Sequence, residues 1–123
     1  MKNIGVIGCG NIAETYFRAQ EYFNNINFVA CADINLDAAK KTAEQYNITP
    51  FSVDEILNDK NVDIILNLTI PQAHYEISKR ALQANKHVYC EKPMSVKFDD
   101  AKELLNLAKK NSLYIGNAPD TFL

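Results

Sequence analysis

Residues 2–17 read "KNIGVIGCGNIAETYF", and the fold turns on how this stretch is divided. The run at 2–8 is short, apolar, rich in branched residues and stops at glycine, as a buried strand does. From residue 11 the apolar positions Ile12, Tyr16, Ala19 and Phe23 recur every three or four residues. That spacing predicts a helix over 11–23 with one buried face. Between strand and helix, Gly8 to Ala13 fits G-x-G-x-x-(G/A). Gly8 would permit the tight turn, Gly10 a close backbone approach to a pyrophosphate, and Ala13 close packing of helix on strand.

The same alternation runs to the end of the chain. Strands are expected at 26–33, 48–51, 62–69, 86–90 and 113–116, and helices at 36–46, 53–58, 72–84 and 98–110. Pro50 suits an edge strand because it cannot donate to a ladder. Ser52 followed by Glu55 forms a capping-box signature. The run "VDIILNLT" at 62–69 is the most continuously apolar and predicts a central strand covered on both faces. Asn85 stands where a left-handed residue would close the preceding helix. Strands that alternate with helices give a doubly wound, mostly parallel α/β sheet with helices on both faces. No internal linker interrupts the pattern, so 1–123 reads as a single domain.

Composition narrows the function classes. The 123 residues carry 13 basic and 15 acidic side chains, a formal charge of −2, and 47% hydrophobic residues. There is no basic run to suggest nucleic acid or an anionic membrane surface. No apolar run is long enough to cross a bilayer. The N-terminus lacks the pattern of a signal peptide. Cys9, Cys31 and Cys90 are an odd number without a CxxC pair. They read as reduced, buried thiols of a cytoplasmic protein rather than disulfides or metal ligands.

Ligands of such sheets bind beyond the carboxyl ends of the strands, where strand order reverses. Asp33 ends the second strand, where an acid can hydrogen-bond an adenosine ribose. Asp33 could also cap the following helix, and the two roles can coexist. A carboxylate there would repel a 2′-phosphate, and Ile34 and Asn35 supply no cation to receive one. NAD(H) is therefore expected over NADP(H), since Lys40 and Lys41 lie further along the helix. Asn67 and Thr69 bring polar groups to an apolar strand end, and Pro71 suits an early helical position. His74, in the first turn of that helix, could face a cofactor or satisfy the interior. His87, at the opposite rim, reads as structural. Glu91-Lys92-Pro93 follow the next strand. They can be a solvated turn, or a lysine that steadies charge on a substrate oxygen.

On these residues the chain resembles the N-terminal domain of the glucose–fructose oxidoreductase, inositol 2-dehydrogenase and MocA family of nicotinamide-dependent oxidoreductases. The resemblance rests on "GVIGCGNIA" (5–13), the acid of "ACAD" (30–33), "NLTIPQAH" (67–74), "ANKHVYCEKPMSV" (84–96) and "NAPDTFL" (117–123). Asn85 departs from the family's usual glycine but tolerates the same left-handed geometry.

The resemblance implies a Rossmann domain in which Gly8, Gly10, Asn11 and Ile12 line the pyrophosphate turn and Asp33 binds the adenine ribose. It implies that Thr69, Pro71 and His74, reached through the strand end at Asn67, lie beside the nicotinamide half. Glu91 would contact the nicotinamide ribose, and Lys92 would be the catalytic lysine, aimed by a Lys92–Pro93 bond that is often cis in the family. It further implies a second α/β domain that supplies the substrate pocket, an Asp/His pair and the subunit contacts.

The chain is accordingly expected to be a piece of a longer enzyme acting on a sugar- or polyol-like substrate. Alone it would bind NAD(H) without turnover and self-associate weakly through apolar surface near 114–123. A stand-alone dinucleotide-binding or sensing module is the alternative. A methyltransferase shares the glycines and the acid, but Ala13 and the Glu91-Lys92-Pro93 segment argue against it.

Overall fold

The computed structural model describes residues 2–22, 24–91, 95 and 97–117. Six strands form one sheet: β1 (Lys2–Ile7), β2 (Ile26–Ala32), β3 (Thr49–Phe51), β4 (Ile64–Asn67), β5 (His87–Cys90) and β6 (Ile115–Asn117). Their order is β3-β2-β1-β4-β5-β6, and every pairing is parallel. The helices between them are α1 (Asn11–Ala19), α2 (Leu36–Tyr46), α3 (Val53–Asn58), α4 (Pro71–Gln83) and α5 (Phe98–Lys110). This is the doubly wound Rossmann order, with its reversal between β1 and β4.

Strand alternation divides the interior into two layers. Ile7, Ala32, Ile65 and Val88 point to one face, where they meet Ile56 of α3, Ile77 and Leu82 of α4, and Leu104 of α5. Val6, Cys31 and Leu66 point to the other, against Ala13 and Phe17 of α1 and Ala39 and Ala43 of α2. Phe17 stacks on Tyr46 at 4.3 Å between ring centroids and tilts against Phe28 at 5.0 Å, which seats α1 against α2 and β2. β4 lies in the middle of the sheet, and its residues Ile65 to Asn67 are all buried. β3, with Pro50, forms one edge, as its missing donor requires.

Local chemistry accounts for most of the boundaries. Ser52 and Glu55 form the full capping box at the start of α3. Asn47 and Asn85 take positive φ of 56° and 65° just beyond α2 and α4. Pro71 opens α4 as its first residue, one position earlier than the spacing predicts. Helix α1 stops at Ala19, and Gln20–Tyr22 tighten into a 3₁₀ turn, because none of those three residues has a buried face to hold an α-helix on the sheet. The expected helix end at Phe23 lies outside the described residues. The β4 ladder is shorter than the apolar run, since Val62 and Leu68 are buried in the flanking turns. β6 begins two residues later than expected because Ser112, at φ 57°, and the Leu113 N–H bond to Ala108 O first close α5.

At the amino-terminal rim, buried Lys86 donates from Nζ to Asp59 O at 2.6 Å and Val62 O at 2.8 Å, tying two connections together. His87 accepts there from Tyr114 N–H through Nδ1 at 3.0 Å.

Asn85 offers a test of the backbone argument. Asn85→Gly should leave stability unchanged or raise it slightly. Asn85→Ala should cost about 1 kcal/mol, because a Cβ residue pays roughly 1–2 kcal/mol in the left-handed region unless, like asparagine, it has a short polar side chain that bonds locally. Urea unfolding followed by circular dichroism would show the difference, and equal midpoints for the two variants would refute the cause assigned here.

Candidate functional site

Parallel pairing sets Ala32, Ile7, Asn67 and Cys90 in one row across the sheet. The residues one step beyond them, Asp33, Gly8, Leu68 and Glu91, therefore emerge together along the carboxyl rim. Their backbones are tied to one another. Gly8 N–H donates to Ala32 O at 2.9 Å, Leu68 N–H to Ile7 O at 2.8 Å, and Glu91 N–H to Asn67 O at 3.0 Å.

The two glycines are glycine for different reasons. Gly8 has φ 106°, and a Cβ there would stand 2.6 Å from the carbonyl carbon and oxygen of Leu68. No larger residue fits without parting the β1–α1 turn from the β4–α4 loop. Gly10 has extended backbone, φ −82° and ψ −167°, which any residue adopts. A Cβ on Gly10 would meet nothing within 4 Å. Neither conformation nor internal packing demands glycine at this position. What glycine preserves is open space directly at the start of α1, whose N-terminus has no side-chain cap. Helix N–H groups left in this way suit an anion.

Asp33 is drawn toward that turn. Its Oδ2 accepts from Cys9 N–H at 2.7 Å and its Oδ1 from Asn35 N–H at 2.9 Å. The cap of α2 is Asn35, whose Oδ1 accepts from Asp37 N–H and Ala38 N–H. Of the two roles compatible with its position in the sequence, capping thus falls to Asn35, and the Asp33 carboxylate is set beside the glycine turn. A crevice of about 300 Å³ opens there, lined by Gly8, Gly10, Asp33, Ile34, Thr69 and Ile70 among others. Ile34 and Ile70 are 93% and 65% exposed at its edge. Apolar walls, a carboxylate, two glycines in the turn and an uncapped helix together fit a nucleotide whose phosphates lie at the helix end.

The β4–α4 loop is held from beneath. Asn67 is fully buried, and its amide spends every bonding position on its neighbours. Nδ2 donates to His74 O at 3.0 Å and Ser78 Oγ at 2.9 Å, while Oδ1 accepts from Thr69 N–H at 3.2 Å and Thr69 Oγ1 at 2.6 Å. The His74 ring, 1% exposed, lies with Nε2 2.6 Å from Thr69 O, so this nitrogen carries the proton it donates. Asn67 and His74 therefore fix the loop, and Thr69 and Pro71 are the members of this group that reach the rim.

Glu91 brings in a residue that helical spacing marks only as part of an apolar face. Tyr16 OH donates to Glu91 Oε2 at 2.5 Å across the end of β4. Burial, and then the bond to Glu91 and its charge, raise the Tyr16 hydroxyl above its ordinary range, so it remains a donor. The signal in the sequence is slight: a tyrosine where phenylalanine would fill the same face. Lys92 and Pro93 lie outside the described residues, as does the side chain of Asn11.

Comparison with known proteins agrees with this geometry. The model of the Gfo/Idh/MocA oxidoreductases, described as an oxidoreductase family with an NAD-binding Rossmann fold, matches residues 2–118. The chain belongs to this family. It is 34% identical over 108 residues to inositol 2-dehydrogenase of Azotobacter vinelandii, covering 85% of this chain and 32% of that protein. The Salmonella typhimurium LT2 inositol 2-dehydrogenase is 29% identical over 111 residues, 87% of this chain and 33% of that protein. Among solved structures, a 3-ketoreductase from Actinomadura kijaniata in complex with NADP and TDP-benzene superposes with a TM-score of 0.89 at 30% identity, over 94% of this chain and 36% of that one. The chain thus spans about a third of the length of these relatives. Among the described residues, no helix is long and apolar enough to cross a membrane.

Within this Rossmann domain of the family, all three thiols are free. They differ in environment. The half-buried Cys9 thiol is lowered, chiefly by its interaction with the Cys31 thiol, which is itself raised by that interaction and by burial. Burial first of all pushes the Cys90 thiol up to about 11. The thiolate is the reactive form, and a lowered pKa populates it at lower pH. Near pH 8, Cys9 should therefore react with an aromatic disulfide reagent well before Cys31 and Cys90. Cys9→Ala should abolish the fast phase, and a fast phase that survives it would show the order to be wrong.

Proposed function

We propose that this chain is the cofactor domain of an oxidoreductase that transfers hydride to or from a hydroxyl or carbonyl of a sugar- or polyol-like substrate. By itself it binds NAD(H) without turnover, and a second domain outside this chain supplies the substrate pocket. The observation that carries the proposal is Gly10: a glycine with ordinary backbone and nothing near its Cβ position, at an uncapped helix start beside a pinned carboxylate. The names of the inositol 2-dehydrogenase relatives support the substrate class.

In this reading the backbone N–H groups at Gly10, Asn11 and Ile12 hold the pyrophosphate, and Gly8 sets their turn. Asp33 accepts from the adenosine ribose hydroxyls. Its carboxylate disfavours a 2′-phosphate, so NAD(H) is preferred to NADP(H). Thr69 and Pro71 border the nicotinamide half, on a loop held in place by Asn67 and His74. Glu91 holds the nicotinamide ribose. The bound nicotinamide supplies the hydride acceptor or donor. Lys92 holds the substrate oxygen and stabilises the charge that develops on it as hydride moves.

Titration of the chain with NADH, NADPH and S-adenosylmethionine tests the proposal. NADH should bind, NADPH at least about tenfold more weakly, which is 1.4 kcal/mol, and the methyl donor not at all. Gly10→Ala should fold with a stability change within about 1 kcal/mol, yet lose at least about tenfold in NADH affinity. Full NADH affinity in that variant would remove the main support for the proposal. Equal affinity for NADPH would cancel the role given to Asp33. In a full-length protein, Lys92→Ala should lower kcat by about 10² or more, and an unchanged rate would reduce Lys92 to scaffolding.

A further inference from the structure

We infer that Tyr16 is a positioning residue for the nicotinamide half of the site, acting through Glu91. The inference rests on the cofactor reading above. Its geometry is independent of that reading. Tyr16 lies on α1, five residues past the helix start, about 7.5 Å along the axis at 1.5 Å per residue. Glu91 follows β5, with the end of β4 between them. The Tyr16 OH–Glu91 Oε2 bond therefore links the helix that opens at the glycine turn to the carboxyl end of β5.

Both ends of this bond are fixed. The Tyr16 ring packs edge-on against Tyr89, with centroids 6.4 Å apart and planes at 64°. Tyr89 sits two residues before Glu91, so both side chains leave β5 toward the same face. The Glu91 backbone is anchored in turn by its N–H bond to Asn67 O. A glutamate at a strand end otherwise samples many rotamers, and a ligand that needs one of them must freeze the rest. Here the Tyr16 hydroxyl selects the rotamer before any ligand arrives. Among the described residues the bond to Glu91 engages Oε2 and none engages Oε1, the acceptor that an added hydroxyl pair could address. Burial keeps the hydroxyl protonated, and so donating, across the neutral range.

Tyr16→Phe is a clean probe because it keeps the ring and its packing on Tyr89 and deletes only the donor. Binding of NADH is compared with binding of ADP-ribose, which has both phosphates and the adenosine but no nicotinamide. In the variant, NADH should weaken about three- to tenfold, while ADP-ribose stays within about twofold. Glu91→Gln should produce the same split, and Tyr16→Phe with Glu91→Gln should be no worse than Glu91→Gln alone. If Tyr16→Phe does not fold, Tyr16→Met, an adaptable apolar side chain with no donor, is read in its place by the same split, and unchanged NADH affinity there would equally overturn the inference. Equal weakening of both ligands would mean a general structural role and would overturn the inference, as would unchanged NADH affinity. If the unmodified chain binds neither ligand, the cofactor reading falls and this inference with it. The two failures are thus told apart by the unmodified chain alone.

Discussion

The structure depends on one close approach. The β1–α1 turn and the β4–α4 loop touch at Gly8, where the missing Cβ leaves room for the Leu68 carbonyl. This is the place where the sheet changes direction, with α1 leaving to one face and α4 to the other. A side chain at Gly8 would part the two loops, and the N–H bonds from Gly8 to Ala32 and from Leu68 to Ile7 would be strained with them. The crevice exists because two turns that diverge from neighbouring strands must first pass each other at backbone distance.

From that contact the rim is built by buried and half-buried polar groups rather than by exposed ones. Asn67 binds the first turn of α4 back to the strand end, and His74 holds the Thr69 carbonyl. Asp33 fastens the glycine turn to β2 through Cys9. An unpaired amide or carboxylate in these places would be costly, so each network holds in only one arrangement. The surfaces left for a ligand are consequently backbone N–H groups, apolar edges and a few aimed oxygens. Tyr16 and Glu91 extend the same principle to the carboxyl end of β5.

Much of this was legible from residue types and spacing. Helix α2 and helices α3 and α5 begin and end where the periodicity predicts. The capping box at Ser52, the left-handed Asn85 and the edge position of Pro50 follow from chemistry that acts within a few residues. Boundaries failed where tertiary packing took over. The first helix loses its last turn for lack of a buried face, and β4 shortens because Val62 and Leu68 are covered outside the ladder.

What the sequence determined by itself was therefore the local grammar: alternating strands and helices, a glycine turn between the first pair, and an acid closing the second strand. These are set by steric limits, periodicity and backbone bonding over short range. Only the tertiary structure decided which polar residues reach the carboxyl rim and which hold the frame. Asp33 and Asn35 lie two apart in sequence, yet one turns to the glycine loop and the other caps a helix. Tyr16 and Glu91 are 75 residues apart and become partners only when α1 and β5 flank the end of β4. Such roles are long-range hydrogen bonds, and no pattern along the chain encodes the distance between the groups that make them.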